Sequence, residues 1–374
     1  MCATVKTGLD NIASVDKLLK GARVGLMTNP TGVNGRMESA IDIINGRYHL
    51  SALFACEHGV RGCVPAGEHV SNFTDEKTGV TVYSCFGAST HLSQEMLDAF
   101  DVFVFDIQDA GARFYTFIYS LSDAMLDCAA AGKPVVVLDR PNPLGGEIAQ
   151  GTLLDERFSS FVGRFSIPTR YALTVGEYAL WVKSHLKLDI DLHIVPMHGW
   201  TRDMRYADTG LMFVPPSPNL STLHAANIYP GTCIFEGSNL SEGRGTALPF
   251  ELIGAPFVDG ETLARRMNDR KLPGFFFREA YFTPGCSKHA GQLCRGVQIY
   301  VTDERQIDPP EMGLVLMDTI RETAGQAVAL TPFIDKLLGT DSYRLNRSDG
   351  RTLLESQREG VERWQKESRA FYLY

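Results

Sequence analysis

Acids, amides, arginines and histidines stand directly after four apolar runs of this sequence, and such residues could bind and cleave a polar substrate. They occur as Glu57-His58-Gly59-Val60-Arg61-Gly62, Asp106-Ile-Gln108-Asp109-Ala-Gly111-Ala-Arg113-Phe-Tyr115, Asp139-Arg140-Pro-Asn142-Pro and Met197-His198-Gly199-Trp200. The carboxylates could transfer protons, and the arginines and amides could hold charged or hydroxyl groups of a ligand. The glycines between them let a backbone approach a ligand closely.

The apolar runs alternate with helical patterns up to about residue 220, which predicts β-α-β units and a parallel sheet. The predicted strands cover residues 23–28, 50–55, 80–84, 102–107, 135–139 and 192–196, and the predicted helices cover residues 37–45, 92–100, 115–131 and 174–186. Ligands of open parallel sheets bind beyond the carboxyl ends of the strands. Because the four polar segments all follow predicted strands, we expect them to meet at one edge of the sheet.

The sequence changes character at Val214-Pro-Pro-Ser-Pro-Asn, where three prolines exclude a regular helix or a central strand. We place a domain boundary shortly after this segment. Residues 1–226 then form an α/β domain and residues 227–374 a smaller α+β domain. The predicted elements of the second domain are strands at 275–282 and 296–301 and helices at 311–324 and 350–368.

A glycine-rich loop at residues 231–245 is a second concentration of residues that could bind a ligand. It contains Glu236, Asn239, Glu242 and Arg244. A flexible linker would be rich in glycine and serine without the acidic and aromatic residues found here. We therefore predict a binding loop that faces the strand ends of the first domain. The alternative is an ordered crossover loop without a ligand.

The composition excludes two classes of function. The 374 residues carry a net charge of −8, whereas nucleic-acid binding needs a basic face. No apolar run approaches the roughly 20 residues that span a bilayer, and the first residues lack the apolar core of a signal peptide. We expect a cytoplasmic protein. If the sequence begins after processing, Cys2 would allow a periplasmic or lipid-anchored protein instead.

Neither a metal nor a cofactor is expected from the motifs. Eight cysteines are too few for a disulfide scaffold, and the pairs Cys56/Cys63 and Cys286/Cys294 lack the spacing of zinc ribbons and redox dithiols. The sequence has no H-E-x-x-H motif and no P-loop. Leu248 stands where the dinucleotide-binding fingerprint would need its third glycine.

Glycoside hydrolysis fits these residues, because carboxylates, hydrogen-bonding side chains and aromatic rings dominate and no nucleophile elbow or Cys/His pair is present. Most such reactions use a carboxylic acid that protonates the leaving oxygen, with a second carboxylate or a substrate group on the other face. Glu57 is the predicted acid, since burial beyond the strand at 50–55 could raise the pKa of its carboxyl group. Asp106 is the second predicted catalytic residue. The alternatives are Asp109, Glu236, Glu242 and the substrate's own 2-acetamido oxygen.

These assignments have structural alternatives. Glu57 and His58 could be an exposed pair, Asp106 and Asp139 could cap the helices that follow them, and residues 140–143 could form a rigid turn. The predicted substrate-binding residues are His58, Arg61, Gln108, Arg113, Tyr115, Asn142, Glu236, Asn239, Glu242 and Arg244.

Seven stretches resemble, in order and over nearly the whole chain, the exo-β-N-acetylmuramidase NamZ family. They are Gly25-Leu-Met-Thr-Asn-Pro-Thr-Gly, Glu57-His-Gly-Val-Arg-Gly, Phe105-Asp-Ile-Gln-Asp-Ala-Gly-Ala-Arg-Phe-Tyr-Thr, Leu138-Asp-Arg-Pro-Asn-Pro-Leu-Gly-Gly, Val214-Pro-Pro-Ser-Pro-Asn, Tyr229-Pro-Gly-Thr and Phe235-Glu-Gly-Ser-Asn-Leu-Ser-Glu-Gly-Arg-Gly-Thr. The resemblance implies a Rossmann-like N-terminal domain and a smaller C-terminal domain with a cleft between them. It also implies a glycoside hydrolase that releases terminal N-acetylmuramic acid from the non-reducing end of peptidoglycan fragments, with Glu57 as the catalytic residue.

N-acetylmuramic acid differs from N-acetylglucosamine by a lactyl ether that carries a carboxylate, and an arginine could bind this group in a bidentate manner. Arg61, Arg113 and Arg244 stand in suitable segments, and the glycines on both sides of Arg244 favour that residue. An ion pair between Arg244 and an acid of the first domain is the alternative.

Two other classes of function stay open. One is a nucleotide-dependent oxidoreductase or transferase on a Rossmann-like sheet. Against it, the first predicted strand ends in Met27-Thr-Asn-Pro-Thr-Gly, which lacks the glycine pattern that holds a pyrophosphate at a helix N-terminus. The other is an amino-sugar-binding protein without turnover. The expected partner is in each case a small molecule, and the sequence predicts no oligomeric state.

Overall fold

The computed structural model describes residues 5–57, 59–62, 72–87 and 89–374. The strands of these residues are β1 (Arg23–Thr28), β2 (His49–Ala55), β3 (Phe73–Thr74), β4 (Thr81–Ser84), β5 (Val102–Asp106), β6 (Val135–Leu138), β7 (Gln150–Leu153), β8 (Pro168–Arg170), β9 (Leu192–Val195), β10 (Leu252–Ala255), β11 (Phe275–Phe282) and β12 (Cys294–Val301). Their α-helices are α1 (Asp16–Leu19), α2 (Ala40–Arg47), α3 (Gln94–Asp98), α4 (Phe117–Ala130), α5 (Val175–His185), α6 (Leu223–Thr232), α7 (Gly260–Asp269), α8 (Pro309–Ala324), α9 (Phe333–Leu338) and α10 (Gly350–Glu367).

A central sheet organises the first part of the chain. Within the described residues its strand order is β3-β4-β2-β1-β5-β6-β9, and every pair is parallel except β3 with β4. Alternate side chains enter two separate apolar cores, with Met27 and Phe105 in one and Leu26 and Val104 in the other. A parallel sheet buried on both faces is the arrangement that near-continuous apolar strands predict. The predicted Rossmann-like α/β fold is confirmed.

Each element predicted in the first part is observed with small differences at its ends, whereas α1, β3, β7 and β8 were not predicted. Strand β1 has the predicted bounds, and the helix predicted at 37–45 begins at Ala40. It begins there because Ser39 Oγ accepts a hydrogen bond from the amide of Ile41 at 3.2 Å, and because Met37 has a left-handed backbone with φ of 65°. A capping side chain of this kind satisfies an amide that the helix itself leaves unpaired.

Helix α6 was not predicted from the sequence, and its last turn includes Gly231 and Thr232, the start of the predicted loop. Gly231 lies against α8, where a Cβ atom would come within 1.9 Å of the carbonyl oxygen of Pro309. Gly313 of α8 is equally close to Gly231 in return, at 2.0 Å from its carbonyl oxygen. The two glycines thus allow a close helix crossing. Helix α6 also runs across the expected boundary after residue 226.

The second part of the chain has its own small sheet and core. Strands β10, β12 and β11 pair in that order, all antiparallel. Side chains of this sheet share an apolar core with helices α7 and α8. None of the helices in the described ranges is both long and apolar enough to cross a membrane.

The C-terminal segment returns to the first part of the chain. Trp364 in α10 donates a hydrogen bond from Nε1 to the carbonyl of Tyr171 at 2.9 Å. The hydroxyl of Tyr374 donates to Asp139 Oδ2 at 2.8 Å, next to the end of β6. The two parts are therefore joined both through α6 and through the C-terminal helix.

Candidate active site

A cavity of about 420 Å³ lies between the two parts of the chain, within the range typical of small-ligand sites. Its walls combine the segment after β2, the segment before α4 and the segment around residue 217 with residues of α6, α9 and the loop after α6. The polar side chains of its lining are Glu57, Tyr115, Thr116, Ser160, Ser217, Asn219, Tyr229, Glu236, Arg244 and Lys336.

Glu57 reaches this cavity from the carboxyl end of β2. The strand is buried up to Cys56, and the next residue, Glu57, is half-buried at the cavity wall. The chain turns immediately afterwards, with positive φ angles of 77° at Gly59 and 72° at Gly62 that side-chain-bearing residues rarely adopt. The strand end and the glycine turn together present the carboxylate of Glu57 to the cavity.

Glu236 lines the same cavity and stands in a 3₁₀ turn, Cys233–Gly237, directly after α6. Burial raises the pKa of its carboxyl group, the charge of Arg244 acts in the opposite direction, and Glu242 raises it again. Arg244 donates from Nη2 to Glu236 and from Nε to Glu242, the latter at 3.3 Å. Lys288 Nζ lies 2.7 Å from the second oxygen of Glu242. Two acids and two cations thus form one compact network.

Aromatic rings form much of the remaining lining. Tyr115 packs edge-on against Tyr229 with ring centroids 5.7 Å apart, and Tyr229 packs edge-on against Phe250 at 4.9 Å. Burial raises the pKa of the Tyr115 hydroxyl, and the negative charge of Glu57 contributes in the same direction. Glu57 and Tyr115 both line the cavity. Aromatic faces beside a carboxylate are well suited to hold a sugar ring.

Asp106, the other predicted catalytic residue, lies outside the cavity lining. Its carboxylate is fully buried at the end of β5 and receives hydrogen bonds from Arg140 Nε at 2.6 Å and Nη2 at 2.8 Å. Asp139 accepts hydrogen bonds from the amide of Gly176 and the hydroxyl of Thr174, and so caps α5, the next α-helix along the chain, as the structural alternative predicted. Asp106 therefore joins the ends of β5 and β6, and Asp139 joins the end of β6 to α5.

The predicted amide ligands likewise bind backbone instead of lining the cavity. Gln108, Asn142 and Asn239 donate to backbone carbonyls at 2.7, 2.8 and 2.8 Å. Each is thereby used to fix a loop. The sequence predicts their placement near the sheet edge and in the loop after α6, but none of the three lines the cavity.

The remaining predicted site residues are a histidine and two arginines. Arg61 forms a bidentate ion pair with Asp75, at 3.0 Å for both contacts. Arg113 is fully buried and donates from Nη2 to the carbonyl of Leu337 at 2.9 Å. His58 lies outside the described residues. Neither arginine is part of the cavity lining.

Several cavity residues were not predicted from the sequence. Ser217 and Asn219 belong to the proline-rich segment, which was used only as a boundary signal although it is one of the resembling stretches. Phe333, Lys336 and Leu337 belong to α9, a short helix without a recognisable motif. Among the described residues, no group of three His, Cys, Asp or Glu side chains is arranged to hold a metal ion.

Comparison with known proteins assigns both parts of the chain to one family. Residues 24–224 match the family model of the exo-β-N-acetylmuramidase NamZ N-terminal region, and residues 227–374 match that of its C-terminal region. The peptidoglycan β-N-acetylmuramidase NamZ of Bacillus subtilis (strain 168) is 43% identical over 378 residues, which cover 99% of this chain and 91% of that protein.

Two solved structures share the fold of this chain over its whole length. One crystal structure of a DUF1343 family protein from Bacteroides fragilis superposes with a TM-score of 0.90 at 34% identity and covers 99% of both chains. A second DUF1343 family protein of the same organism superposes with a TM-score of 0.81 at 29% identity, covering 100% of this chain and 99% of the other.

A parallel α/β sheet whose edge carries a cavity with two glutamates and an aromatic wall has the features of a glycosidase. The family matches identify which family of glycosidases this is. The chain belongs to the exo-β-N-acetylmuramidase NamZ family.

Proposed function

We propose that this chain is an exo-β-N-acetylmuramidase, which releases terminal N-acetylmuramic acid from the non-reducing end of peptidoglycan-derived saccharides. The observation that carries the proposal is the shared cavity, to which the first part of the chain contributes Glu57 and the second part Glu236. Hydrolysis of a glycosidic bond needs two groups on opposite faces of the sugar, and two carboxylates are the usual pair. The membership in the NamZ family supports N-acetylmuramic acid as the sugar.

The proposed roles follow from these positions. Glu57 acts as the general acid/base that gives a proton to the leaving glycosidic oxygen when the bond to the anomeric carbon breaks. Glu236 acts as the second carboxylate. We propose Glu236 instead of Asp106, because the carboxylate of Asp106 is buried in an ion pair with Arg140. Tyr115 and Tyr229 hold the sugar ring by contact with its apolar face.

The experiment is to incubate the full chain with the 4-nitrophenyl β-glycoside of N-acetylmuramic acid, without added nucleotide or metal. We expect release of 4-nitrophenol. With a muramic-acid-terminated oligosaccharide as substrate, we expect N-acetylmuramic acid as the first product, as required for an exo-acting enzyme. Binding of the glycoside without release would identify an amino-sugar-binding protein. Activity that appears only on addition of a nucleotide would also contradict the proposal.

A further inference from the structure

The proposed substrate carries a negative charge into a cavity that already contains carboxylates. Its lactyl carboxylate would meet Glu57 and Glu236 in the same space, and like charges at short range in a partly desolvated site repel each other strongly. A cation of the protein that faces this group would offset the repulsion. Identification of that cation rests on the proposed function.

The three arginines that the sequence suggested are already engaged. Arg61 is paired with Asp75 and does not line the cavity. Arg113 is buried behind the lining and does not reach the cavity surface. Arg244 lines the cavity, but its guanidinium contacts the carboxylates of Glu236 and Glu242 and is neutralised by them. A substrate carboxylate at Arg244 would have to displace one of these acids.

Among the described residues that line the cavity, Lys336 is the one lysine or arginine besides Arg244. It stands in α9 between Phe333 and Leu337, which also line the cavity, and its side chain is exposed. Within the described ranges, no carboxylate forms an ion pair with it. The neighbouring acid on the same helix, Asp335, points elsewhere and is paired with Arg344 at 2.6 Å.

A second positive charge, that of Arg113, lies next to helix α9, which carries Lys336. Arg113 is fully buried and donates to the carbonyl of Leu337, the residue next to Lys336. Burial lowers the pKa of the Arg113 guanidinium to about 10, so the group stays charged at neutral pH. In the described part of the chain no carboxylate pairs with Arg113, and its Nε and Nη1 atoms have no hydrogen-bond acceptor. The potential of this buried charge favours an anion on the cavity side of α9.

We infer that Lys336 binds the lactyl carboxylate of N-acetylmuramic acid and makes the enzyme selective for muramic acid over N-acetylglucosamine. The ammonium group of Lys336 forms the direct contact, and Arg113 is a positioning residue that strengthens the positive potential of the same wall. A lysine suits this role because its flexible stem lets the charge follow the substrate.

The test compares three 4-nitrophenyl β-glycosides: N-acetylmuramic acid, its lactyl methyl ester and N-acetylglucosamine. The ester keeps the shape of the lactyl group and removes its charge. For the wild-type chain we expect kcat/KM to be about 10-fold higher for the acid than for the ester, a modest value since charge-assisted hydrogen bonds to exposed groups are partly screened. Lys336→Met should remove this preference by raising KM for the acid, with kcat unchanged. Lys336→Arg should keep much of it.

The matched control is a lysine outside the cavity. Lys366→Met removes an exposed lysine of α10 that does not line the cavity, and it should leave all three substrates unaffected. Equal losses on acid and ester in Lys336→Met, or an unchanged preference for the acid, would overturn the inference while leaving the proposed function intact. A wild-type chain that cleaves none of the three glycosides would instead refute the proposed function, and the inference with it.

Discussion

Arg140 donates two hydrogen bonds to the carboxylate of Asp106, at 2.6 and 2.8 Å, and both side chains are almost completely buried. The two residues follow neighbouring strands, Asp106 at the end of β5 and Arg140 just beyond β6. Burial raises the pKa of Asp106, and the charge of Arg140 opposes this effect. The two opposite charges of the pair thus compensate each other at the carboxyl edge of the sheet.

Breaking this ion pair should cost stability and not catalysis. Removing one partner of a buried pair leaves an uncompensated charge and typically costs about 3–5 kcal/mol. We expect Asp106→Asn and Arg140→Met each to lower the free energy of unfolding by about this amount in urea denaturation. The kcat of folded Asp106→Asn enzyme should stay close to that of the wild type.

The exposed pair Arg157–Asp155 provides the control. Arg157→Met should leave the free energy of unfolding close to that of the wild type, because exposed ion pairs contribute little. If Asp106→Asn instead kept its stability and lost kcat by about 100-fold or more, Asp106 would be a catalytic residue as the sequence analysis predicted.

Two variants around Glu236 should shift the pH dependence of kcat/KM in opposite directions. Arg244 lowers the pKa of Glu236 and Glu242 raises it. Arg244→Met should therefore move the limb of the pH profile that reports Glu236 to higher pH, and Glu242→Gln should move it to lower pH. The measurement is the pH profile of muramic-acid glycoside cleavage by each variant. A profile that stays in place in both variants would show that Glu236 does not titrate in the reaction.

Asp109 should make the protein less stable as the pH rises. Burial raises the pKa of its carboxyl group from 3.8 to about 6 in the folded chain. Folding therefore favours the protonated form, and stability is lost as the pH rises from about 4 to about 6. Asp109→Asn cannot ionise, so its stability relative to the wild type should increase by about 3 kcal/mol over this window, at about 1.4 kcal/mol per pKa unit. A stability difference that is constant between pH 4 and pH 7 would contradict this assignment.

The fold was largely predictable because its strands are short apolar runs, each bounded by polar residues or glycine. Strands β1 and β11 have the bounds that the sequence predicts. Helix α6 was not predicted, since Gly231 is a local signal for a loop and only the close contact with α8 explains its place in a helix. Contacts between elements distant in sequence override such local signals.

Site residues could be predicted from the sequence where their position depends on the end of a single strand. They could not be predicted where their position depends on which strands are neighbours in the sheet. Glu57 follows directly from the end of β2 and lines the cavity. The pairing of Asp106 with Arg140 depends on β5 and β6 being neighbours in the sheet, which local patterns do not show. Lys336 has no motif around it, and only the packing of α9 against the cavity brings it to the site.

The most direct test of the account is the kcat of Glu57→Gln on the 4-nitrophenyl β-glycoside of N-acetylmuramic acid. The variant keeps the shape of the side chain and removes the group that transfers a proton. General acid–base catalysis contributes about 10²–10⁴-fold, so kcat should fall by this factor with little change in KM. Glu362→Gln, an exposed position of α10 away from the cavity, should behave like the wild type. A Glu57→Gln variant with near-wild-type kcat would contradict the central claim.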